Sequence, residues 1–196
     1  IRDPYWKALA FRGVAESMAR AGFFHEALDV ARDIEDFYYR AEAFRGVAES
    51  MARAGVKDAV SVFREALKVA HSIENPYWKA KALCGVAESM ARAGIGDTAP
   101  VFREALKVAR DIEDSSDRAW VLREIAESMA RAGFFREALK VARDIEDSSD
   151  RAWALGAVAE SMARAGVSMV CGVVKFGLSS VGIELFTSVR RVIIRG

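Results

Sequence analysis

The sequence is poor in the residues that build metal sites and disulfide frameworks. Of its 196 residues, two are cysteines (Cys84 and Cys171) and two are histidines (His25 and His71). Two cysteines do not form a disulfide framework, and two histidines add too few ligands for a zinc cluster. We therefore expect no metal, no cofactor, and a reducing, cytoplasmic compartment.

An excess of charge of one sign is also missing, since the formal net charge is +1. A nucleic-acid-binding domain usually carries a strongly basic surface, so we expect no nucleic-acid partner. The sequence contains no Gly-rich phosphate loop. His25 and His71 have no nearby nucleophile or acidic orienting partner in the sequence pattern, so we expect a protein that is not an enzyme.

What the sequence does contain is an internal repeat. The string VAESMARAG begins at Val14, Val47, Val86 and Val158, and the variant IAESMARAG begins at Ile125. The intervals between copies are 33, 39, 39 and 33 residues, and a second block, EALKVAR or a close variant, follows each of the first four copies. Periods of this length indicate an array of stacked supersecondary units.

Each unit contains two helical patterns. Apolar residues recur at spacings of three and four from Ala8 to Ala21 and again from Phe24 to Ile34, which predicts two amphipathic helices. Between them lies Gly22, a residue that readily takes the left-handed conformation that ends a helix. The turns are short, so consecutive helices should lie antiparallel. One such hairpin cannot bury its apolar face alone, and neighbouring hairpins must stack.

The repeat predicts one array over residues 1–166, followed by a different segment. Its units span about 4–36, 37–75, 76–114, 115–147 and 148–166, and the last contains a first helix only. Six residues are added before the second helix in the two 39-residue units, which predicts two longer second helices. Ile1–Asp3 aligns with Ile34–Asp36, the end of a second helix, so we expect the natural chain to extend further N-terminally.

The layout of the units resembles the tetratricopeptide repeat. Ala21–Leu28 (AGFFHEAL) and Ala132–Leu139 (AGFFREAL) carry the Ala-Gly turn, an aromatic residue two positions after the glycine, and Ala-Leu in the second helix. Two departures are the unit lengths, which differ from the family's usual length of about 34 residues, and Ala31, which stands where the family has a large aromatic residue. The resemblance implies an all-α, right-handed solenoid of stacked antiparallel helix hairpins. It also implies a non-catalytic protein-interaction scaffold whose first helices line a concave face.

Charged residues recur on the first helix, off its apolar face. Every unit has a Glu followed four residues later by an Arg, and three units have another Arg one turn before that Glu. Because arginine binds carboxylates through two hydrogen bonds, we predict that this ladder binds a polypeptide with acidic residues. The predicted site residues are Arg12, Glu16, Arg20, Arg45, Glu49, Arg53, Glu88, Arg92, Arg123, Glu127, Arg131, Glu160 and Arg164. The alternative is that each pair only stabilises its own helix, by roughly 0.2–0.5 kcal/mol, and that its recurrence reflects duplication.

The large side chains of the repeat are expected to fill the core. The methionines within the repeated string lie on the apolar face of the first helix; they are Met18, Met51, Met90, Met129 and Met162. Four tryptophans stand near first-helix starts, namely Trp6, Trp78, Trp120 and Trp153. We expect them to pack against the preceding unit rather than to stack on a ligand.

The repeat ends at Gly166, and the segment 167–196 differs from it. Residues 167–183 contain a single charged residue, Lys175. Three interpretations remain open: a helix that caps the last unit, a self-association surface, and a membrane segment, which is disfavoured because a span needs about 20 apolar residues. An alternative function is therefore a structural array that forms homo-oligomers through its ends or through this segment.

Overall fold

The computed structural model describes residues 3–166, and this part of the chain is entirely helical, with nine helices and no strand. In chain order the helices are α1 (Pro4–Arg20), α2 (Phe24–Arg32), α3 (Phe37–Arg53), α4 (Ala59–His71), α5 (Pro76–Arg92), α6 (Ala99–Arg110), α7 (Ser115–Arg131), α8 (Phe135–Asp144) and α9 (Ser148–Arg164). Odd-numbered helices are termed first helices and even-numbered ones second helices. The predicted all-α class is confirmed for these residues. The capping or association element predicted at 167–196 lies outside them.

First helices begin where a polar side chain caps the open N–H groups of the first turn. In α1, the Asp3 carboxylate accepts hydrogen bonds from the backbone N–H of Tyr5 at 2.8 Å and of Trp6 at 3.3 Å. Pro4 needs no acceptor, because it has no N–H. Equivalent caps at α3, α5 and α9 are Asp36, Asn75 and Asp147.

A left-handed glycine follows the C-terminus of each first helix. Gly22 has a φ of 89°, a conformation that strains any residue with a side chain. Its N–H donates to the carbonyl of Ala19 at 3.1 Å, and the N–H of Phe23 donates to the carbonyl of Met18 at 3.0 Å. Two carbonyls that the helix leaves open are thereby satisfied. The equivalent glycines with positive φ are Gly55, Gly94, Gly133 and Gly166.

The second helices of the two 39-residue units are longer than the others, as predicted. α4 has 13 residues and α6 has 12, whereas α2 has 9 and α8 has 10. α6 begins at Ala99, directly before Pro100. The six inserted residues therefore partly extend the second helix and partly lengthen the preceding turn.

The chain forms two compact units, residues 1–114 with α1–α6 and residues 115–196, whose described part contains α7–α9. In the first unit α1 contacts α3, α3 contacts α5, and α2 and α4 each contact the first helices before and after them. In the second unit α7, α8 and α9 contact one another. Such neighbour-to-neighbour packing is typical of helical repeats. The handedness of the array and its hairpin arrangement stay predictions.

Small residues bring consecutive first helices close together. Ala15, Ala48 and Ala87 are fully buried on α1, α3 and α5, and Val47 and Val86 are fully buried beside them. An alanine lets two helix backbones approach closely, and the valine one position before it fills the space between them. The core between first helices is therefore narrow, and it depends on many small contacts.

The methionines of the repeat occupy the core in the interior helices. Met51, Met90 and Met129 are buried, which confirms the prediction for α3, α5 and α7. Met18 on α1 and Met162 on α9 are only half-buried. The same residue is thus less covered at the ends of the described part than in its interior.

Val14 on α1 does not belong to the core, although it opens the first copy of the repeated string. Its side chain is 45% exposed, whereas the equivalent Val47 and Val86 are fully buried. In α3 and α5 this position is covered because another first helix precedes each of them. No first helix precedes α1 within residues 3–166.

The tryptophans are more exposed than expected. Trp153 is 69% exposed, so the prediction that it packs against the preceding unit was wrong. Trp6 is 58% exposed, but no unit precedes it within residues 3–166, and its packing stays a prediction. Trp78 keeps one such contact, because its ring centroid lies 4.7 Å from that of Tyr38 on α3. Trp153 also differs in register from Trp78, since Trp120 and Trp153 stand three residues later in the repeat than Trp6 and Trp78 do.

The burial difference between equivalent valines predicts unequal effects of the same substitution. We expect Val86→Ala to lower the free energy of unfolding by roughly 2 kcal/mol, because it removes two buried methyl groups and leaves a cavity. The matched substitution Val14→Ala should cost less than about 0.5 kcal/mol, because that side chain is already half in water. Urea unfolding followed by circular dichroism measures both. Equal losses would contradict the burial difference.

Candidate binding surface on the first helices

The Glu–Arg ladder divides by burial in the first unit. Glu16, Glu49 and their equivalent Glu88 are mostly covered, whereas the side chains of Arg20 and Arg53 are 58% and 68% exposed. The glutamate stands one turn before the end of each first helix, against the neighbouring helix. The arginine stands at the last residue of that helix, so its guanidinium group reaches into solvent. The exposed part of the ladder is therefore basic.

The arginine that ends each of the five first helices forms an ion pair with the glutamate one turn earlier in the same helix. The distances are 3.9 Å for Arg20–Glu16, 3.6 Å for Arg53–Glu49, 3.8 Å for Arg92–Glu88, 3.8 Å for Arg131–Glu127 and 2.5 Å for Arg164–Glu160. Charge-assisted hydrogen bonds usually measure about 2.7–2.9 Å. The pairs of Arg20, Arg53 and Arg92 are longer than that, so their glutamates hold these three guanidinium groups only loosely.

One glutamate of the ladder also links two helices. The Glu49 carboxylate on α3 accepts hydrogen bonds from Arg45 at 3.2 Å and from Arg92 on α5 at 3.3 Å. The Ser89 hydroxyl of α5 donates to the same carboxylate oxygen. We term these four residues (Arg45, Glu49, Ser89 and Arg92) the Glu49 cluster. It ties α3 to α5 with polar contacts at the edge of the alanine-rich core.

Arg45 is held in this cluster by a residue that the sequence analysis did not single out. Its guanidinium group donates to both oxygens of Glu42, at 2.6 and 3.0 Å. Burial by itself would lower the pKa of Arg45, but the charge and hydrogen bonds of Glu42, followed by the charge of Glu49, outweigh it and raise that pKa above its usual value. The three-residue spacing of Glu42 and Arg45 was the signal that could have identified the pair.

The earlier arginines of the ladder are engaged in internal contacts. Arg12 on α1 lies 3.5 Å from Glu16 and 5.8 Å from the centre of the Tyr39 ring. Arg123 on α7 lies 3.1 Å from Asp150 on α9, an acidic partner that the repeat did not indicate. The side chains of Arg12, Arg45 and Arg123 are mostly covered. These three residues therefore serve helix packing, and the accessible surface consists of the later arginines.

The expectation that no acidic group orients a histidine was wrong for His71. Its Nε2 lies 2.9 Å from the Glu104 carboxylate on α6, and its Nδ1 lies 2.6 Å from the backbone carbonyl of Leu67. The contact joins α4 to α6, the second helices of two consecutive repeat units. His25 is exposed on α2.

Residues 3–166 also lack two further kinds of site. No three His, Cys, Asp or Glu side chains of this part come together where they could hold a metal ion. None of its helices is both long enough and apolar enough to span a bilayer.

Comparison with known proteins supports the fold. No protein-family model matches this sequence, and no curated protein does. The chain is similar to a solved structure, the crystal structure of Ton1535 from Thermococcus onnurineus NA1, with a TM-score of 0.63 and 17% sequence identity. The match covers 95% of this chain and 53% of that one, so this chain spans about half the length of Ton1535. At this identity the likeness extends to the fold alone.

The unequal contacts of equivalent glutamates lead to a second prediction. We expect Glu49→Ala to destabilise the fold by roughly 1–3 kcal/mol, because it leaves partly buried donors on Arg45 and Ser89 without their acceptor. The matched Glu16→Ala removes pairs of 3.5 and 3.9 Å within α1 and the packing of its methylene groups on α3, but no cross-helix hydrogen bond, and should cost less than Glu49→Ala does. Thermal unfolding of both variants decides the matter. If Glu16→Ala lowers stability as much, the cross-helix contacts contribute nothing of their own.

Proposed function

We propose that this chain is a non-catalytic protein-interaction scaffold that binds an acidic polypeptide along its first helices. The observation that carries the proposal is the row of Arg20, Arg53 and Arg92, which stand at the last residue of the three first helices α1, α3 and α5. All three side chains are more than half exposed, and their intrahelical carboxylates hold them at 3.6–3.9 Å. A partner that carries carboxylates can therefore improve the pairing of each.

The spacing of the helices supports a concave surface at this row. Within residues 3–114, the backbones of consecutive first helices approach within 8 Å, whereas those of α2, α4 and α6 do not approach one another that closely. Elements on the inner side of a curved stack lie closest together. This spacing supports the placement of the first helices of this unit on the inner face of the proposed tetratricopeptide-type superhelix.

Arginine suits this role better than lysine would. Its planar guanidinium group presents five N–H donors, so it can keep the glutamate of its own helix and still offer two parallel donors to another carboxylate. Because the row is exposed, its attraction for an acidic chain should weaken as salt screens it over about 10 Å at 0.1 M ionic strength.

Charge reversal of the row tests the proposal. We expect the variant Arg20→Glu, Arg53→Glu, Arg92→Glu to lose binding to fluorescein-labelled poly-L-glutamate, measured by fluorescence anisotropy at low salt. The unaltered chain should bind this probe with an affinity that falls as salt is added.

A matched control separates the row from net charge. Arg32→Glu, Lys68→Glu, Lys107→Glu makes the same change in charge on the second helices α2, α4 and α6, where all three residues are exposed. This control should keep most of the affinity. Equal loss in both triple variants, or no loss in the first, rejects the row as the binding surface.

A second candidate function is self-association through the end of the array, and the exposure of Val14 favours it. The position of Val14 on α1 corresponds to Val47 on α3 and Val86 on α5, which are covered by another first helix. A first helix of a second copy could cover it with the same small and apolar contacts. The product would be a homo-oligomer that extends the stack end to end.

This candidate predicts that Val14→Asp lowers association. Sedimentation velocity should show species larger than the monomer as the concentration of the unaltered chain rises, and the variant should stay monomeric, because a charge on that face opposes burial. The control is Val60→Asp, on an exposed valine of α4, which should behave as the unaltered chain does. A monomer at all concentrations refutes this candidate and leaves the scaffold untouched.

A further inference from the structure

A groove of about 360 Å³ opens between the ends of α1 and α3. Two arginines, Arg20 and Arg53, stand at its sides, and its lining contains no carboxylate. The remaining lining residues are small or apolar apart from one serine; they are Ala19, Ala21, Gly22, Phe24, Ser50 and Ala54. The left-handed turn at Gly22 keeps this space open, because no side chain projects from it.

We call each pair of neighbouring first helices a step. The α3–α5 step shows what the position equivalent to the groove can bind. Arg92 on α5 corresponds to Arg53 on α3, and it reaches back to Glu49 on the preceding helix at 3.3 Å. Ser89, the counterpart of Ser50, donates to the same carboxylate. At the α3–α5 step, an internal carboxylate thus fills the place between the arginine and the serine of the following helix.

The α1–α3 step lacks this internal carboxylate. Within residues 3–114 no ion pair joins Arg53 to Glu16, and the Ser50 hydroxyl donates instead to the Gly46 carbonyl at 3.1 Å. Arg53 pairs with Glu49 at 3.6 Å, and that carboxylate is already shared with the rest of the Glu49 cluster. Arg20 and Arg53 each have one shared carboxylate, at 3.9 and 3.6 Å, whereas Arg92 pairs with two.

The two steps also differ in one residue of the first helix that is not repeated. Glu42 on α3 holds Arg45 beside Gly85, where an added Cβ would lie 3.4 Å from the Glu42 carboxylate. Arg45 is therefore neutralised mainly by Glu42, although it also donates to Glu49 at 3.2 Å. In α1 the residue equivalent to Glu42 is Leu9, and the side chain of Glu16 itself lies over α3.

The close packing of Glu16 keeps its carboxylate away from the groove. A Cβ added to Gly46 would lie 2.8 Å from Cγ of Glu16, so this side chain is pressed against the α3 backbone. Its carboxylate stays beside Arg12 and Arg20, at 3.5 and 3.9 Å. The space next to Arg53 is left for another acceptor.

We propose that the groove between Arg20 and Arg53 binds one side-chain carboxylate of the partner polypeptide, in the place that Glu49 fills at the next step. This inference rests on the proposed function and names the position of one acidic residue. A glutamate fits best, because its methylene groups can lie on Phe24 and the alanines while its carboxylate meets the two guanidinium groups. Arg12 and Arg20 share the single carboxylate of Glu16, so one positive charge is left over at this end of α1, and it matches a singly charged group better than a phosphate.

Two single variants test the groove with the same poly-L-glutamate probe. We expect Arg53→Gln to weaken binding about tenfold, the effect of losing one charge-assisted contact. Its control, Arg32→Gln, removes the same charge from the exposed end of α2 and should change binding less than about twofold. Ala54→Trp fills the groove without changing charge and should also weaken binding about tenfold, whereas Val60→Trp on α4 should not.

A small probe identifies the ligand chemistry. Titration of N-acetyl-glutamate amide, followed through the arginine Nε–Hε signals by nuclear magnetic resonance, should shift the signals of Arg20 and Arg53 and leave that of Arg32 unchanged. Inorganic phosphate should shift the same two signals less at equal concentration. If phosphate shifts them more, the site is a general anion site and the carboxylate assignment is overturned.

The outcomes distinguish the two proposals. Loss of poly-L-glutamate binding in the triple charge-reversal variant, with full binding in Arg53→Gln and Ala54→Trp, rejects the groove and leaves the scaffold proposal standing. Full binding in all three variants rejects both. Circular dichroism of each variant confirms that the helical fold is retained, so that a loss of binding reports on the groove.

Discussion

The close approach of consecutive first helices is the constraint on which the remaining structure depends. Fully buried alanines at equivalent positions of α1, α3 and α5 make that approach possible, and the left-handed glycine after each first helix returns the chain to pack the second helix beside it. Because the backbones are so near, the polar residues beside these alanines come within hydrogen-bond reach of the next first helix. The packing of these alanines therefore affects both the stability of the fold and the arrangement of charge on its surface.

Identical repeated strings do not produce identical polar contacts. The string from Val47 and the string from Val14 both supply a glutamate, a serine and an arginine, yet only Glu49 bonds across to the following helix. The two helices also differ outside the string, where Glu42 binds Arg45 on α3 and its counterpart on α1 is Leu9. Such single departures from the repeat give each step of a uniform array its own chemistry.

The likeness to Ton1535 bears on architecture and leaves function to the surface. Helical arrays of this kind serve many roles on one framework, so a role has to be argued from the residues that face solvent. Here those residues are arginines at the ends of first helices, with small side chains between them and no described metal cluster. We propose that a surface of this composition holds an extended acidic chain by a series of similar contacts, with the α1–α3 groove as one point of attachment.

The sequence by itself determined where the helices of residues 3–166 begin and end, because caps such as Asp3, left-handed glycines such as Gly22 and the apolar periodicity act within a few residues of the backbone that they shape. It also predicted the burial of Met51 and the longer α4, which follow from position in the repeat. Only the tertiary structure decided that Val14 and Trp6 are exposed, that Glu42 holds Arg45, and that Arg53 stands beside an open groove. Those features depend on which helix lies alongside, and a repeat read along the chain assigns the same neighbours to every copy.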